Sequence, residues 1–209
     1  MRAAIAVADR DGIAAVTMRR VGQDLGVEAM SLYHHVKSKD DIVDGMVDVL
    51  VDEIPAPPAS ADWKSAIRTR ALAARALLRR HPWVFRVIAH TSGMSPAMLR
   101  YHEAVIGNLL AGGFSNQLTH TAMHVLGSRT LGFTEDLFLG QERGPEVVKG
   151  IVEELRAGKY PIIRRAIKDV HHDDDLEFAF GLDLILDGLE QARDAAERPV
   201  TSRSGARRS

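Results

Sequence analysis

Residues 17–36, TMRRVGQDLGVEAMSLYHHV, decide the fold of this chain. Thr17 can accept the free amides of a first helical turn, and Gly26 suits the left-handed conformation that ends many helices. Apolar residues between them recur at three- and four-residue spacing and predict one buried stripe: Met18, Val21 and Leu25. A second short helix is predicted over residues 28–36, and Ser38 can cap the helix that follows it. The pattern therefore predicts two helices joined by a tight turn, a helix-turn-helix.

The rest of the chain has the same helical character. Apolar residues recur at helical spacing, and strand-like alternation bounded by turns is scarce, which predicts an all-α fold. Proline and glycine separate the predicted helices, which cover about residues 3–10, 17–25, 28–36, 38–54, 62–80, 83–90, 95–111, 115–140, 145–157, 161–169 and 173–197.

Three prolines within residues 55–58 cannot continue a helix and predict a stiff connection. We therefore predict a helix-turn-helix domain over residues 1–54, a connection over residues 55–61 and a larger helical domain over residues 62–198. Residues 199–209 are polar, basic and poor in apolar side chains, which predicts a disordered tail.

Composition excludes several classes of protein. The 209 residues contain no cysteine, so disulfides, thiol nucleophiles and thiolate zinc sites are excluded. No secretion leader and no apolar run of bilayer length is evident, so we expect a cytoplasmic protein with no membrane partner. The net charge of −1 neither supports nor excludes nucleic acid, because phosphate contacts depend on local cations. Four cations lie within the motif or just after it: Arg19, Arg20, Lys37 and Lys39.

The second predicted helix of the motif carries polar and aromatic residues on the faces away from Leu32 and Val36. A helix in the major groove contacts bases through its N-terminal residues and phosphates through its edges. Ser31 can donate or accept a hydrogen bond there, and Ala29 and Met30 can touch thymine methyl groups. An ordinary helical hairpin with a solvated face fits the spacing equally well.

The residues themselves resemble a known family. LGVEAMSLYHHVKSK at residues 25–39 resembles the DNA-binding domain of TetR-family transcriptional regulators. GFS at 113–115, TLGF at 130–133 and FGLDLILDGLE at 180–190 resemble the tetracycline-repressor type of ligand-binding domain. The resemblance implies a homodimeric, non-enzymatic repressor that leaves a near-palindromic operator when a small apolar molecule binds. We predict no cofactor and no metal.

By this resemblance and by their place in the motif, ten residues are expected to contact DNA: Thr17, Arg19, Ala29, Met30, Ser31, Tyr33, His34, His35, Lys37 and Lys39. Met30 and His34 stand where the tetracycline repressor has proline and tryptophan, so its operator sequence does not carry over. Soft and aromatic side chains between the later helices predict a ligand cavity, although each one alone fits a plain core: Trp83, Phe85, His90, Met94, Met98, His102, Phe114, Met123, His124, Leu131 and Phe133.

The last helix carries an apolar stripe wider than one packing partner usually covers: Phe178, Leu182, Ile185, Leu186 and Leu189. Part of the stripe must be core. The resemblance implies that this helix and the one over residues 115–140 form a four-helix bundle with their copies across a two-fold axis.

Two other interpretations stay open. Residues 171–175, HHDDD, fit a metal-dependent helical phosphohydrolase that uses His172 and Asp173, although a capped, acidic helix start explains the same residues. A helical scaffold with a degenerate DNA domain also fits the pattern. No Gly-x-Ser-x-Gly elbow and no phosphate-binding glycine loop supports nucleophilic catalysis.

Overall fold

The computed structural model describes residues 1–90, 94–132, 145–167 and 173–197, and within these ranges it is helical without strands, as predicted. The helices are α1 (Arg2–Asp11), α2 (Met18–Leu25), α3 (Ala29–Leu32), α4 (Lys39–Asp52), α5 (Trp63–Arg80), α6 (Trp83–His90), α7 (Pro96–Ala111), α8 (Asn116–Gly132), α9 (Pro145–Arg156), α10 (Pro161–Ile167) and α11 (Asp174–Glu197). A 3₁₀ turn at Ile13–Ala15 precedes α2. In the described ranges, no helix has the length and apolar character needed to cross a bilayer.

Side-chain caps fix where α2 and α4 begin. Thr17 Oγ1 accepts the backbone N–H of Arg20 at 3.2 Å, and Ser38 Oγ accepts that of Asp41 at 3.1 Å. These bonds satisfy amides that have no partner inside the helix. Gly26 ends α2 in the left-handed conformation, with a φ of 68°. The predicted caps and turn are therefore confirmed.

Leu25 departs from the predicted buried stripe of α2. Met18 and Val21 are buried, but Leu25 is 52% exposed. It is the last residue of α2, and the chain turns away at Gly26, so its side chain points past the end of the core. Gly22, one turn earlier, is buried instead.

The first apolar core joins the N-terminal helices to the beginning of the second half. Its fully buried members from the N-terminal side come from α1, the end of the 3₁₀ turn and α4: Val7, Val16, Met46 and Leu50. Leu78 at the end of α5, Val84 in α6 and Ala97 in α7 belong to the same cluster. Packing therefore continues across the predicted division near residue 55, and that division stays a prediction.

The second core lies among α5, α7, α8 and α11. Its buried side chains include Ile67, Leu109, Ala122, Phe178, Leu182 and Leu186. At one end of this core the Trp63 and Phe114 rings meet edge to face, with centroids 4.6 Å apart. α8 is described only to Gly132, so the end of the helix predicted over residues 115–140 lies outside the described residues.

Ion pairs connect α5 with α11 outside the second core. Arg68 Nε lies 2.7 Å from Asp183 Oδ1, and Lys64 Nζ lies 2.6 Å from oxygens of both Asp187 and Glu190. Hydrogen bonds from Asp187 and Glu190 raise the pKa of Lys64 to about 12. Exposed pairs of this kind contribute little each, but together they fix the register of two long helices.

Asp9 connects α1 with the junction of α5 and α6. Its Oδ1 accepts hydrogen bonds from His81 Nδ1 and Trp83 Nε1, both at 2.7 Å. His81 and Trp83 are buried, and hydrogen bonds to a charged acceptor are stronger than neutral ones. Asp9 therefore fixes α1 against the second half of the chain.

Candidate functional site

The predicted reading helix is one α-helical turn followed by tighter turns. α3 covers Ala29–Leu32, and residues 33–36 continue with hydrogen bonds mainly to the third residue back, such as His35 N–H to Leu32 O at 2.9 Å. The α-helix predicted over residues 28–36 is therefore too long. The helix has to end early, because Ser38 already caps the next helix, α4.

Nine of the ten predicted DNA contacts have exposed side chains: Thr17, Arg19, Met30, Ser31, Tyr33, His34, His35, Lys37 and Lys39. The exposed fractions of Met30 and Tyr33 are 72% and 50%. Clustered exposure of large apolar side chains usually marks a surface that a partner covers. Ala29 is the exception, since it is half-buried against the first core.

The electrostatics of this surface come from a few free cations. Three exposed cations form no ion pair with a carboxylate in the described part of the chain: Arg19, Lys37 and Lys39. Arg20, by contrast, lies 3.0 Å from Asp11 and 3.4 Å from Asp24. The surface therefore offers phosphate three unneutralised cations, although the chain as a whole is nearly neutral.

Gly22 sets the distance between α2 and α3, and the sequence analysis missed it. A Cβ at Gly22 would lie 2.9 Å from the carbonyl oxygen of Val27 and 3.4 Å from Ala29 Cα. Real Cβ atoms do not approach backbone so closely, so only glycine permits this packing. The signal available in the sequence was a glycine inside a helix, which costs stability unless packing requires it.

A cavity of about 120 Å³ lies between the two cores. α5, α6, α7 and α8 supply most of its walls, and Val51 of α4 and Ile54 just after it complete them. A single water needs ~10–15 Å³ on this measure, so the cavity has room for a larger molecule. Its lining is mainly apolar, as in most small-molecule sites. A molecule bound there touches the helix that follows the reading segment.

Polar groups in the cavity wall are few: Arg70, Tyr101, His102 and Thr130. His102 Nδ1 lies 2.7 Å from the carbonyl oxygen of Met98, so Nδ1 donates and Nε2 is the unprotonated atom of the neutral ring. Thr130 Oγ1 donates to a carbonyl of its own helix at 2.8 Å. Burial raises the pKa of Tyr101 even though the Arg70 cation opposes this, so the phenol stays protonated at neutral pH.

Comparisons with family models cover both halves of this arrangement. The model for "Bacterial regulatory proteins, tetR family" matches residues 1–46, and that for "Tetracyclin repressor-like, C-terminal domain" matches residues 54–193. The chain belongs to the TetR family. It is a DNA-binding transcriptional regulator that responds to a ligand and acts as a dimer.

Individual relatives agree with the TetR-family assignment. The HTH-type transcriptional repressor DrrR1 of Streptomyces coeruleorubidus is 29% identical over 203 residues, 91% of this chain and 75% of the relative. The tetracycline repressor protein class A from transposon 1721 of Escherichia coli is 28% identical over 201 residues, 92% of this chain and 89% of the relative. The structure of SCO7222, a TetR from Streptomyces coelicolor, superposes with a TM-score of 0.74 at 25% identity, covering 95% of this chain and 97% of that one.

The cavity of this TetR-family regulator differs in composition from the predicted one. Four of the eleven predicted residues line it: Met98, His102, Met123 and Leu131. Three aromatic residues pack in the apolar cores instead, where a large ring buries most area: Trp83, Phe85 and Phe114. Met94 is 61% exposed, and His124 is exposed beside His120 on α8. Phe133 and the His90 side chain lie outside the described residues.

The predicted dimer stripe needs a correction of the same kind. Four of its residues are at most 7% exposed inside a single chain and form the second core: Phe178, Leu182, Leu186 and Leu189. Ile185 packs partly against them. The opposite face of α11 is also apolar, with Leu176, Phe180 and Leu184 exposed by 69%, 67% and 56%. The predicted stripe therefore packs inside its own chain, and the apolar face of α11 that stays exposed is the opposite one.

The metal interpretation of HHDDD is not supported. Asp173 Oδ1 accepts the backbone N–H groups of Asp175 and Leu176, both at 3.0 Å, so it caps α11. His172 lies outside the described residues. Within those residues, no group of three or more His, Cys, Asp or Glu side chains is placed to hold a metal ion.

Proposed function

We propose that this TetR-family regulator is a repressor that binds a near-palindromic operator as a homodimer and that a small, mainly apolar molecule releases. The observation that carries the proposal is the cavity, which Val51 and Ile54 line together with α5–α8. The effector therefore touches α4, which directly follows the reading segment. Repression rather than activation is supported by the relatives that are named repressors.

Each part of the chain has its own task in this proposal. Residues 1–54 bind DNA, and residues 62–198 bind the effector and the second copy. The protein acts in the cytoplasm, where its operator is, and it catalyses no reaction.

The exposed residues of α3 and the turn after it contact the operator. Met30, Ser31 and His34 reach base edges in the major groove, while Tyr33 and His35 contact the edge of the groove. The free cations Arg19, Lys37 and Lys39 hold phosphates, which position the protein without reading sequence. The half-buried Ala29 contributes at most a methyl contact.

The outer face of α11 joins two copies. Leu176, Phe180 and Leu184 follow one another at four-residue spacing, so they lie in one row on the helix surface. Val125 on α8 is also exposed and extends the apolar area onto the second helix of the expected bundle. A two-fold dimer presents its reading segments to half-sites about 34–36 Å apart.

Release of the operator requires the effector to bind one dimer state better than another. α4 is the element that both sites share, since it bears Val51 in the cavity wall and begins directly after the reading turn. Arg100 of α7 donates to Asp52 at the end of α4 at 2.7 Å. A shift of α4 against α7 therefore changes the spacing of the two reading segments.

Selection of bound DNA from a random pool tests the proposal. We expect a near-palindrome with half-sites one helical turn apart. Tyr33→Ala should weaken binding to the selected DNA roughly tenfold, the effect of losing one good contact, with Tyr33→Phe as the control that keeps the ring. Failure to select any palindrome at low salt would overturn the proposal and favour the scaffold interpretation.

A further inference from the structure

Arg70 is a cation that lines the cavity and has no carboxylate partner in the described part of the chain. Its Nε is shielded from solvent and has no hydrogen-bond partner in the described part of the chain. Its guanidinium carbon lies 5.6 Å from the centre of the Tyr101 ring, a stacking contact that uses the face of the group and leaves its N–H edge free. Buried N–H donors without a partner are rare in native proteins, so this one calls for an explanation.

Four of the five other cations of α5 behave differently. Lys64 and Arg68 pair with carboxylates on α11, and so do Arg75 and Arg79 through Asp175. At about 3.6 residues per turn, these four lie on one side of α5, and Arg70 lies on the other. The position of Arg70 is therefore not explained by the ion pairs that hold α5 to α11.

The surroundings of Arg70 favour an anion. Among the described residues that line the cavity there is no Asp or Glu. The protonated Tyr101 hydroxyl can donate a hydrogen bond to an anion. A charge interaction inside an apolar cavity is stronger than the same interaction in water, and an arginine fork fits a carboxylate with two parallel hydrogen bonds.

We infer that the effector is a mainly apolar molecule that carries one anionic group, a carboxylate, which binds Arg70 with the Tyr101 hydroxyl as a second donor. This inference rests on the proposed function of the cavity. The apolar body of the effector lies against residues such as Ala74, Val105 and Leu126. Arg70 selects the charge of the ligand, and the apolar walls select its size.

Two isosteric probes test the inference with the full-length dimer. Neutral, fluorescent N-phenyl-1-naphthylamine reports occupation of the cavity, and 2-naphthoate or 2-naphthamide displaces it. In the wild type, 2-naphthoate should displace the reporter at a roughly tenfold lower concentration, the value of one charge-assisted hydrogen bond. Arg70→Met should abolish this preference and leave displacement by 2-naphthamide unchanged. Arg70→Lys should keep part of it, because the charge remains without the fork.

The outcomes separate the inference from the proposed function. Equal displacement by the two probes in the wild type overturns the anion inference, while the cavity keeps its proposed role. The comparison of the two probes in the wild type tests the inference even if Arg70→Met fails to fold. Gly127→Leu fills the cavity from a position where a Cβ meets no atom within 4 Å. If the reporter does not bind, or binds Gly127→Leu as well as the wild type, the proposed function itself fails. Since the net charge of the chain is −1, general attraction cannot mimic the preference for the anion.

Discussion

The proposed DNA-binding surface and the proposed ligand cavity are built in opposite ways. The surface comes from residues 17–39, which follow one another in the chain and are fixed by two caps and a glycine contact. The cavity takes its walls from five helices, and its lining spans Val51 to Leu131. The functional side chains of the surface are exposed, whereas those of the cavity are largely covered. A local motif thus makes the surface, and only the complete fold makes the cavity.

The two regions nevertheless pack against the same core. Leu78 and Val84 line the cavity and also belong to the core that contains Val7 and Met46. Protein interiors are closely packed and transmit displacements, so a molecule that moves Val84 also presses on the helices that carry the DNA-binding surface. The proposed coupling therefore needs no long path, because the two sites lie on opposite sides of one core.

Separating the two copies should have the largest effect. It should weaken operator binding and leave the cavity unchanged. The operator needs two DNA-binding surfaces, whereas each cavity lies inside one chain. Leu184→Glu on the outer face of α11 should dissociate the dimer and weaken operator binding by roughly 10³-fold, towards non-specific affinity, with reporter binding in the cavity retained. Sedimentation velocity and fluorescence anisotropy measure both effects.

The matched control for this change is on the inner face of the same helix. Leu182→Ala should leave the dimer intact and lower the free energy of unfolding by about 2–5 kcal/mol, as other buried leucines do. A dimer that survives Leu184→Glu would show that another surface joins the copies.

A single methyl group at Gly22 should damage the surface and leave the cavity unchanged. Gly22→Ala places a Cβ 2.9 Å from the Val27 carbonyl oxygen, which forces α2 and α3 apart at a cost of about 1–3 kcal/mol. Operator binding should fall roughly tenfold. Gly107→Ala on α7 is the control, because its Cβ meets no atom within 4 Å, and it should raise the unfolding midpoint slightly. Equal effects of the two changes would contradict the role of Gly22.

Filling the cavity should have the reverse effect of Gly22→Ala, because it should damage the cavity and leave the DNA-binding surface unchanged. Gly127→Leu should remove binding of N-phenyl-1-naphthylamine while operator affinity stays within about twofold, since the side chain enters open space and leucine is a better helix former than glycine. Fluorescence titration and operator anisotropy measure the two quantities. Loss of operator binding in this variant would mean that an empty cavity is itself part of the DNA-binding state.

Low pH should weaken the ion pairs between α5 and α11, and this is the smallest of the expected effects on stability. Hydrogen bonds from Arg79, and then Arg75, hold the pKa of Asp175 below its usual value of about 3.9. A lowered folded-state pKa adds stability that is present at neutral pH and lost as the pH falls through that pKa. The urea midpoint of Asp175→Asn should therefore lie slightly below that of the wild type at pH 7, and the difference should shrink as the pH falls below about 3.9. Asp44→Asn, which removes an exposed carboxylate without an ion pair in the described residues, should show no such convergence.

The N-terminal motif was predictable because its determinants are local. Thr17, Ser38 and Gly26 act on the residues next to them, and the structure confirms all three. The exposed positions of the reading segment followed from helical spacing in the same way. Gly22 was missed because a backbone contact with Val27 across the turn requires glycine there. Residue spacing in the sequence does not reveal such a contact.

The cavity lining and the buried face of α11 were predicted poorly because they depend on which side of a helix faces which neighbour. Trp83 and Phe114 are aromatic and follow the ends of α5 and α7, which made them candidates for the cavity. In the structure both pack in the apolar cores instead. Arg70 was overlooked because a cation on a long helix is usually solvated. On α11, composition identified an apolar helix but not its two faces, so Leu186 was assigned to the surface and Leu184 was left out.

The two tryptophans of the chain occupy different cores, which gives the protein two built-in optical reporters. The Trp83 indole donates to Asp9 in the first core, and the Trp63 ring packs against Phe114 in the second. Indole emission shifts with the polarity and charge around the ring. In a Trp63→Phe background, the emission of Trp83 follows separation of α1 from α6, while Trp63 in a Trp83→Phe background follows loosening of α5 from α7. The order in which the halves respond to an effector can thus be timed without attaching a dye.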